Sequence, residues 1–155
     1  GRQDGSGLCA GGCCDCVQIA EVRLYGDRRH AFSAMTAESP SGNSPYDQGP
    51  ELASDGRLDT KWLDFSFGAN GASTLRLALP VGARLSAYEL ITANDAPERD
   101  PTSWELMCMD VDGNRGAHNA VSDSTPPSGR FASYGQIALQ TPPAPPPAPP
   151  APPQP

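Results

Sequence analysis

Between residues 17 and 25 apolar and polar side chains alternate. Val17, Ile19, Glu21, Arg23 and Tyr25 fall loosely on one face, Val22 and Leu24 on the other. The pattern predicts a strand whose burial switches partway. Residues 61–67 alternate again, with Trp62 and Asp64 on one side and Leu63, Phe65 and Phe67 on the other. Residues 73–79 alternate cleanly, Leu75, Leu77 and Leu79 inward and Arg76 outward. Two more strands are predicted over 87–93 and 103–109. Asp112-Gly113, between Val111 and Asn114, predicts a hairpin-type turn. Residues 129–140 predict one or two short strands around Phe131, Tyr134, Ile137 and Leu139. Residues 38–50 read as irregular loop and 51–55 as a short turn. Short strands about every ten residues, turns between them and no amphipathic helix predict an all-β sandwich.

Composition then divides the 155 residues into three parts. Residues 1–16 are Gly-rich and hold Cys9, Cys13, Cys14 and Cys16. Residues 17–140 carry nearly all the large apolar side chains, so the core must form there. Residues 141–155 contain only Thr, Pro, Ala and Gln. Proline fixes φ and lacks an amide donor, so this tail joins neither sheet nor helix. It is expected to form a polyproline II rod rising ~3.1 Å per residue.

The fifth cysteine, Cys108, stands alone. The cluster spacing C-x3-C-C-x-C is not that of a zinc site, and no histidine lies nearby. Disulfides in an oxidising compartment are the simpler reading for all five. Cys13 and Cys14 are neighbours and must point to different partners, since a bridge between them strains the peptide. The odd count leaves one thiol free or bonded to another chain. Position 1 is Gly, so the chain reads as processed or incomplete at its start, any signal peptide being removed. No apolar run approaches the ~20 residues of a membrane span.

The formal net charge is -7, and Lys61 is the only lysine. An acidic chain without a basic stripe argues against nucleic acid and against an anionic membrane surface. His30 and His118 are the only histidines, and neither has a nucleophile motif beside it. A triad is therefore not expected, nor is any carboxylate pair singled out for glycoside hydrolysis. The expectation is a chain that is not an enzyme.

Residues 52–65 read Leu-Ala-Ser-Asp-Gly-Arg-Leu-Asp-Thr-Lys-Trp-Leu-Asp-Phe, and residues 88–104 include Asn94-Asp95-Ala96-Pro97-Glu98-Arg99-Asp100-Pro101-Thr102-Ser103-Trp104. Together they resemble the discoidin, or coagulation factor 5/8 type C, family, through its Ala-x-Asp-Gly-x-x-x-Thr-x-Trp and Arg-Asp-Pro-x-x-Trp stretches. The resemblance covers residues 17–140 and implies a galactose-binding-like jelly roll. It also implies a structural Ca²⁺ at the loop of Asp55, Asp59 and Thr60, oxygen ligands that suit a hard cation. The alternative is that these groups hydrogen-bond their own loop. The region is shorter than usual for the family. An abbreviated or donated last strand would leave an unpaired edge, one route to a polymer.

Asn94, Asp95, Glu98 and Arg99 form a polar cluster that carbohydrate could engage, Arg99 through its planar fork. The other reading is a network holding the loop, with Arg99 paired to Asp64 or Asp100. Trp62 and Trp104 lie within strand patterns and are expected in the core. Tyr46 and Tyr134 are the exposed aromatic candidates. The tail resembles hydroxyproline-rich glycoproteins of plant and algal matrices. That likeness implies O-linked glycans on hydroxylated Pro142, Pro143, Pro145, Pro146, Pro147, Pro149, Pro150, Pro152 and Pro153. No Asn-x-Ser/Thr sequon is present. The expectation is an extracellular, non-catalytic structural glycoprotein that self-associates or joins other matrix glycoproteins. The alternative is a lectin-like module on a proline linker.

Overall fold

The computed structural model describes residues 16–27, 31–34, 36–140 and 146–154. Its regular structure is mostly strands in antiparallel sheets, with little helix. The apolar stretch at 17–25 becomes two strands, β1 (Val17–Ile19) and β2 (Glu21–Tyr25). They part at Ala20 because each has a different partner. β1 pairs with β5 (Trp62–Asp64), Ile19 opposite Trp62. β2 pairs along its whole length with β7 (Ala87–Ile91), from Glu21 opposite Ile91 to Tyr25 opposite Ala87. This change of partner accounts for the burial switch in the sequence.

β2 and β7 are the centre of a four-stranded sheet. Its edges are β3 (Ala31–Phe32) and β10 (Ile137–Ala138). Two further antiparallel pairs complete the strands: β4 (Thr36–Glu38) with β6 (Arg76–Ala78), distant in sequence, and β8 (Trp104–Met109) with β9 (Arg115–Val121), a hairpin. The β8–β9 turn runs through Asp112-Gly113 as expected, Gly113 at φ 82°. Asp110 closes it by accepting the Asp112 and Asn114 amides at 2.9 and 2.8 Å.

The main core lies on one face of the central sheet. Val22, Leu24, Tyr88 and Leu90 pack there with Ile19 and Leu139. Leu75, Leu77 and Leu79 cover them, as the alternation at 73–79 predicts, and Trp104, Leu106 and Ala117 come from the β8–β9 hairpin. Burying each of the larger aliphatic groups contributes about 1.5–3 kcal/mol before entropy is counted. A polar chain crosses this core. Trp104 Nε1 donates to the Tyr88 hydroxyl (2.7 Å), which donates to Asn119 Oδ1 (2.6 Å). Three strands are thereby fixed in depth, because a buried polar group left unpaired is costly. Trp62 fills a second small cluster with Val17 and Ala53. Both tryptophans serve packing.

Three expectations fail here. The strand at 61–67 stops at Asp64; Phe67 instead opens a one-turn helix, α1 (Phe67–Asn70), closed by Gly71 at φ 72°. The reason is Asp64, fully buried, whose carboxylate accepts the amides of Asn43 and Ser66 and the hydroxyl of Ser73. It turns the chain rather than extending it. Tyr134 is not exposed: its ring meets Trp104 edge-on at 5.3 Å and its hydroxyl donates to the Pro101 carbonyl. Cys108 is a free thiol, half-buried on β8 against the main core, and burial pushes its pKa up. Cys16 is disulfide-bonded. Cys9, Cys13 and Cys14 lie outside the described residues.

Strand pairing gives the domain two distinct ends. β7 leads from Ala87 to Ile91 and into the loop 92–100. The chain returns antiparallel: Ser133 bridges Ile91, Ile137 pairs with Tyr88 and Ala138 with Ala87. Loops 92–100 and 129–132 therefore share one pole. Residues 26–27, 84–86 and 139–140 share the other, where the proline tail departs.

Candidate functional site

The loop pole gathers most of the polar residues that the sequence singles out. Loop 92–100 is built around a 3-10 turn, Pro97–Arg99, entered through Ala96 at φ 45°. A non-glycine residue in the left-handed region costs energy and persists only where neighbours enforce it. Two neighbours do so. Lys61 Nζ, its residue 9% exposed, donates to Asp95 Oδ1 at 2.7 Å and to Gln18 Oε1 at 3.1 Å. Gln18 Nε2 donates in turn to the carbonyls of Asp95 (2.5 Å) and Ala96 (3.2 Å). Burial pushes Asp95 up, but the Lys61 ammonium, with help from Gln18 and Arg99, outweighs it and holds the carboxyl below its usual range.

The second support is Arg130. Its guanidinium forms a fork on Asp100, Nη1 to Oδ1 at 3.0 Å and Nη2 to Oδ2 at 2.5 Å. Nη1 also reaches the Asp95 carbonyl at 3.2 Å. Asp100 is 0% exposed. Such a desolvated pair is strongly costly to break, since one partner would remain as an uncompensated charge. Arg99 is thus paired with neither Asp64 nor Asp100. Asp64 is taken by Asn43, Ser66 and Ser73, and Asp100 by Arg130. The network reading of this loop holds, but its cations are Lys61 and Arg130. Asn94 and Asp95 remain exposed, Glu98 and Arg99 half-buried.

Lys61 and Arg130 were missed as loop supports. Lys61 had a signal, being the only lysine in the chain and adjacent to Trp62. Arg130 had none, because its partner lies thirty residues away on another loop.

The loop of Asp55, Asp59 and Thr60 follows the 3-10 turn Pro50–Ser54. Asp55 accepts the Arg57 amide at 2.9 Å and the Thr60 hydroxyl at 2.6 Å. Asp59 is gripped by Arg57, Nε at 2.9 Å and Nη2 at 2.6 Å. Each carboxylate oxygen is engaged within the loop. Among the described residues, no three histidine, cysteine or carboxylate groups gather around a point that would hold a metal. As arranged, the donors do not fit a calcium ion.

The unforeseen member is Glu21 at the start of β2, 5% exposed. Its Oε1 accepts the Gly56 amide at 3.1 Å, while Oε2 has no hydrogen-bond partner. Burial, together with the Asp55 carboxyl beside it, raises its pKa to about 7. Alternation could not mark it, since Glu21 falls loosely on one face with Val17 and Ile19 but also with Arg23.

One further residue stands out. Phe131 has φ 55° and is 45% exposed. Its loop is clamped from beneath: Thr92 donates its amide to the Ala132 carbonyl (2.9 Å), and Ala132 N donates to Thr92 Oγ1 (3.0 Å). Phe131 thus sits on unfavourable backbone, its side chain part-exposed, immediately after Arg130.

His118 pairs with Glu105 at 2.8 Å on the exposed face of the β8–β9 hairpin; His30 is outside the described residues. Pro146, Pro147, Pro149, Pro150, Pro152 and Pro153 are exposed. Pro142, Pro143 and Pro145 lie outside the described residues. No described helix is long and apolar enough to cross a membrane. Comparison with protein-family models, with curated proteins and with solved structures finds no match.

Proposed function

We propose that this protein is a non-catalytic structural glycoprotein of an extracellular, glycan-rich matrix or surface filament. In this reading a discoidin-like jelly roll displays a proline rod. What carries it is a contrast. The polar side chains of the loop pole are largely consumed in holding their own loops. Residues 146–154, in contrast, are exposed and outside any sheet or helix. Ionised side chains paired internally are poor candidates for chemistry on a substrate. An uncharged prolyl rod is a natural spacer and carrier of O-linked glycans.

The test is intact mass and peptide mapping of the native protein without reduction. Hydroxyproline bearing pentose or hexose between Pro142 and Pro155 is the expected result. A bare tail on a monomeric chain would defeat the reading and leave the tail a linker.

Phe131 favours a second reading, a lectin-like module. A part-exposed ring, on a loop at the same pole as the exposed Asn94, offers an apolar face to a sugar. Calorimetric titration with soluble wall oligosaccharides tests it. Saturable binding lost in Phe131→Gly supports it, and silence across the set removes it.

A further inference from the structure

Serine or threonine precedes proline at Ser39-Pro40, Ser44-Pro45, Thr125-Pro126 and Thr141-Pro142. The two threonine steps share a longer triplet, Thr-Pro-Pro, at 125–127 on the domain and at 141–143 where the tail begins. Residues 141–143 lie outside the described residues; the domain copy lies within them. Residues 122–128 read Ser-Asp-Ser-Thr-Pro-Pro-Ser, and hydroxyl groups crowded around proline are the composition of O-glycosylated segments. The fold separates the three described steps. Ser39 is half-buried, with its hydroxyl shut off from solvent. Ser44 is half-buried as well, whereas Thr125 is exposed.

The segment is anchored at both ends. β9 stops at Val121, and the chain is tied down at once. Asp123, held at φ 52°, donates its amide to Ser103 Oγ at 3.1 Å, and Ser124 N donates to the Thr102 carbonyl at 2.7 Å. Beyond the prolines, the Gly129 carbonyl accepts the Thr92 hydroxyl at 3.1 Å. Residues 125–128 span the gap between these anchors, and 124–127 belong to no helix, strand or turn. Proline fixes its own φ and keeps the residue before it out of the α region, which here restrains Thr125, Pro126 and Pro127 together. The segment is thus extended and ordered in advance, the state in which prolyl sequences are recognised at low entropic cost. Pro126 and Pro127 are half-buried, so the exposed member of the triplet is Thr125. Among the described residues its hydroxyl has no hydrogen-bond partner.

We propose that Thr125 is an O-glycosylation site on the folded domain. The donor is a nucleoside-diphosphate sugar. Thr125 Oγ1 forms a bond to the anomeric carbon as that carbon's bond to the diphosphate breaks, and the hydroxyl proton passes to a base of the transferase. The glycan stands at the loop pole, because its anchors are Thr102, just past loop 92–100, and Thr92. The chain enters the tail from the other pole, after Leu139 and Gln140. This inference rests on the structural-glycoprotein reading and extends its glycans from the tail to the domain.

The experiment is a tryptic map of the native protein. Cleavage after Arg115 and Arg130 isolates 116–130, and no lysine or arginine follows Arg130, so the tail stays in a separate peptide, 131–155. Peptide 116–130 should carry pentose or hexose, located on Thr125 by electron-transfer fragmentation. Thr125→Val, produced in the cells that make the native protein, should return 116–130 bare and leave the glycans of 131–155 unchanged. Thermal unfolding verifies that this variant folds. A bare 116–130 beside a glycosylated 131–155 would overturn the site and leave the structural-glycoprotein reading standing. Sugar placed on another residue of 116–130, or retained there in Thr125→Val, would do the same. Both peptides bare would defeat the two readings together.

Discussion

The two poles of the domain are held by different physics. At the loop pole, charged side chains reach between distant segments: Lys61 to Asp95, and Arg130 to a fully buried Asp100. At the tail pole, Ser86 caps the end of β2 with its amide on the Tyr25 carbonyl (2.8 Å) and its hydroxyl on the Gly26 carbonyl (2.7 Å). Leu139 N then donates to the Ser86 carbonyl at 2.9 Å, seating the chain just before the tail. A cleft of about 440 Å³ lies open there between Gly26, Asp27, Pro80 and Arg84. The comparison teaches where each pole is vulnerable. One depends on desolvated charge and therefore on pH; the other depends on local backbone bonds that pH barely touches.

Breaking the buried pair should have the largest effect. Arg130→Met removes the two-pronged guanidinium contact from a fully buried Asp100. The expected loss is about 3–5 kcal/mol in denaturant unfolding. Adding Asp100→Leu should recover most of it, because a pair removed together leaves no orphan charge. A double variant as unstable as the single one would mean that Arg130 acts through packing instead.

The loop pole should also impose a pH dependence. Glu21 is raised from 4.5 to about 7 in the folded chain, first by burial. Across that window the folded state holds a proton that the unfolded state has released. Stability should therefore fall as pH rises from about 4.5 through about 7. Asp95 has the opposite sign: its folded pKa is lowered, so its contribution is lost as pH falls through that lowered value. Glu21→Gln should flatten the decline between pH 5 and 8 and leave the acid side unchanged. A variant whose thermal midpoint still declines like the parent would place the effect elsewhere.

At the tail pole the corresponding change is smaller. Ser86→Ala removes the hydroxyl from the Gly26 carbonyl while the backbone bonds remain. The expected cost is about 1 kcal/mol, independent of pH between 5 and 8. A pH-dependent loss would blur the distinction between the poles.

The sequence carried the strands whose own side chains alternate. Leu75, Leu77 and Leu79 announced an inward face, and Asp112-Gly113 announced a hairpin. β9 was not assigned a strand, because Arg-Gly-Ala-His-Asn-Ala-Val has few residues that favour strands and is held by pairing with β8. Phe67 was misplaced because Asp64 is a hub for three partners, and alternation cannot show what a buried carboxylate will accept. The same limit applied at the candidate site. Asn94, Asp95 and Asp100 were legible as a polar loop; the residues that make it rigid arrive from β1, from the segment before β5 and from loop 129–132. Local pattern names the loop, and tertiary contacts decide whether its charges are free.

The smallest effect should come from the largest deletion. Residues 146–154 are exposed and, among the described residues, make no hydrogen bond to the domain. Leu139, by contrast, is 8% exposed in the main core and bonded to Ser86. A chain ending at Gln140 keeps every one of those contacts. Its unfolding free energy should match that of the full chain within about 0.5 kcal/mol, the range of surface changes that touch nothing. The measurement belongs at low micromolar concentration, where weak self-association contributes nothing to apparent stability. A difference there would mean that the tail folds back on its own domain.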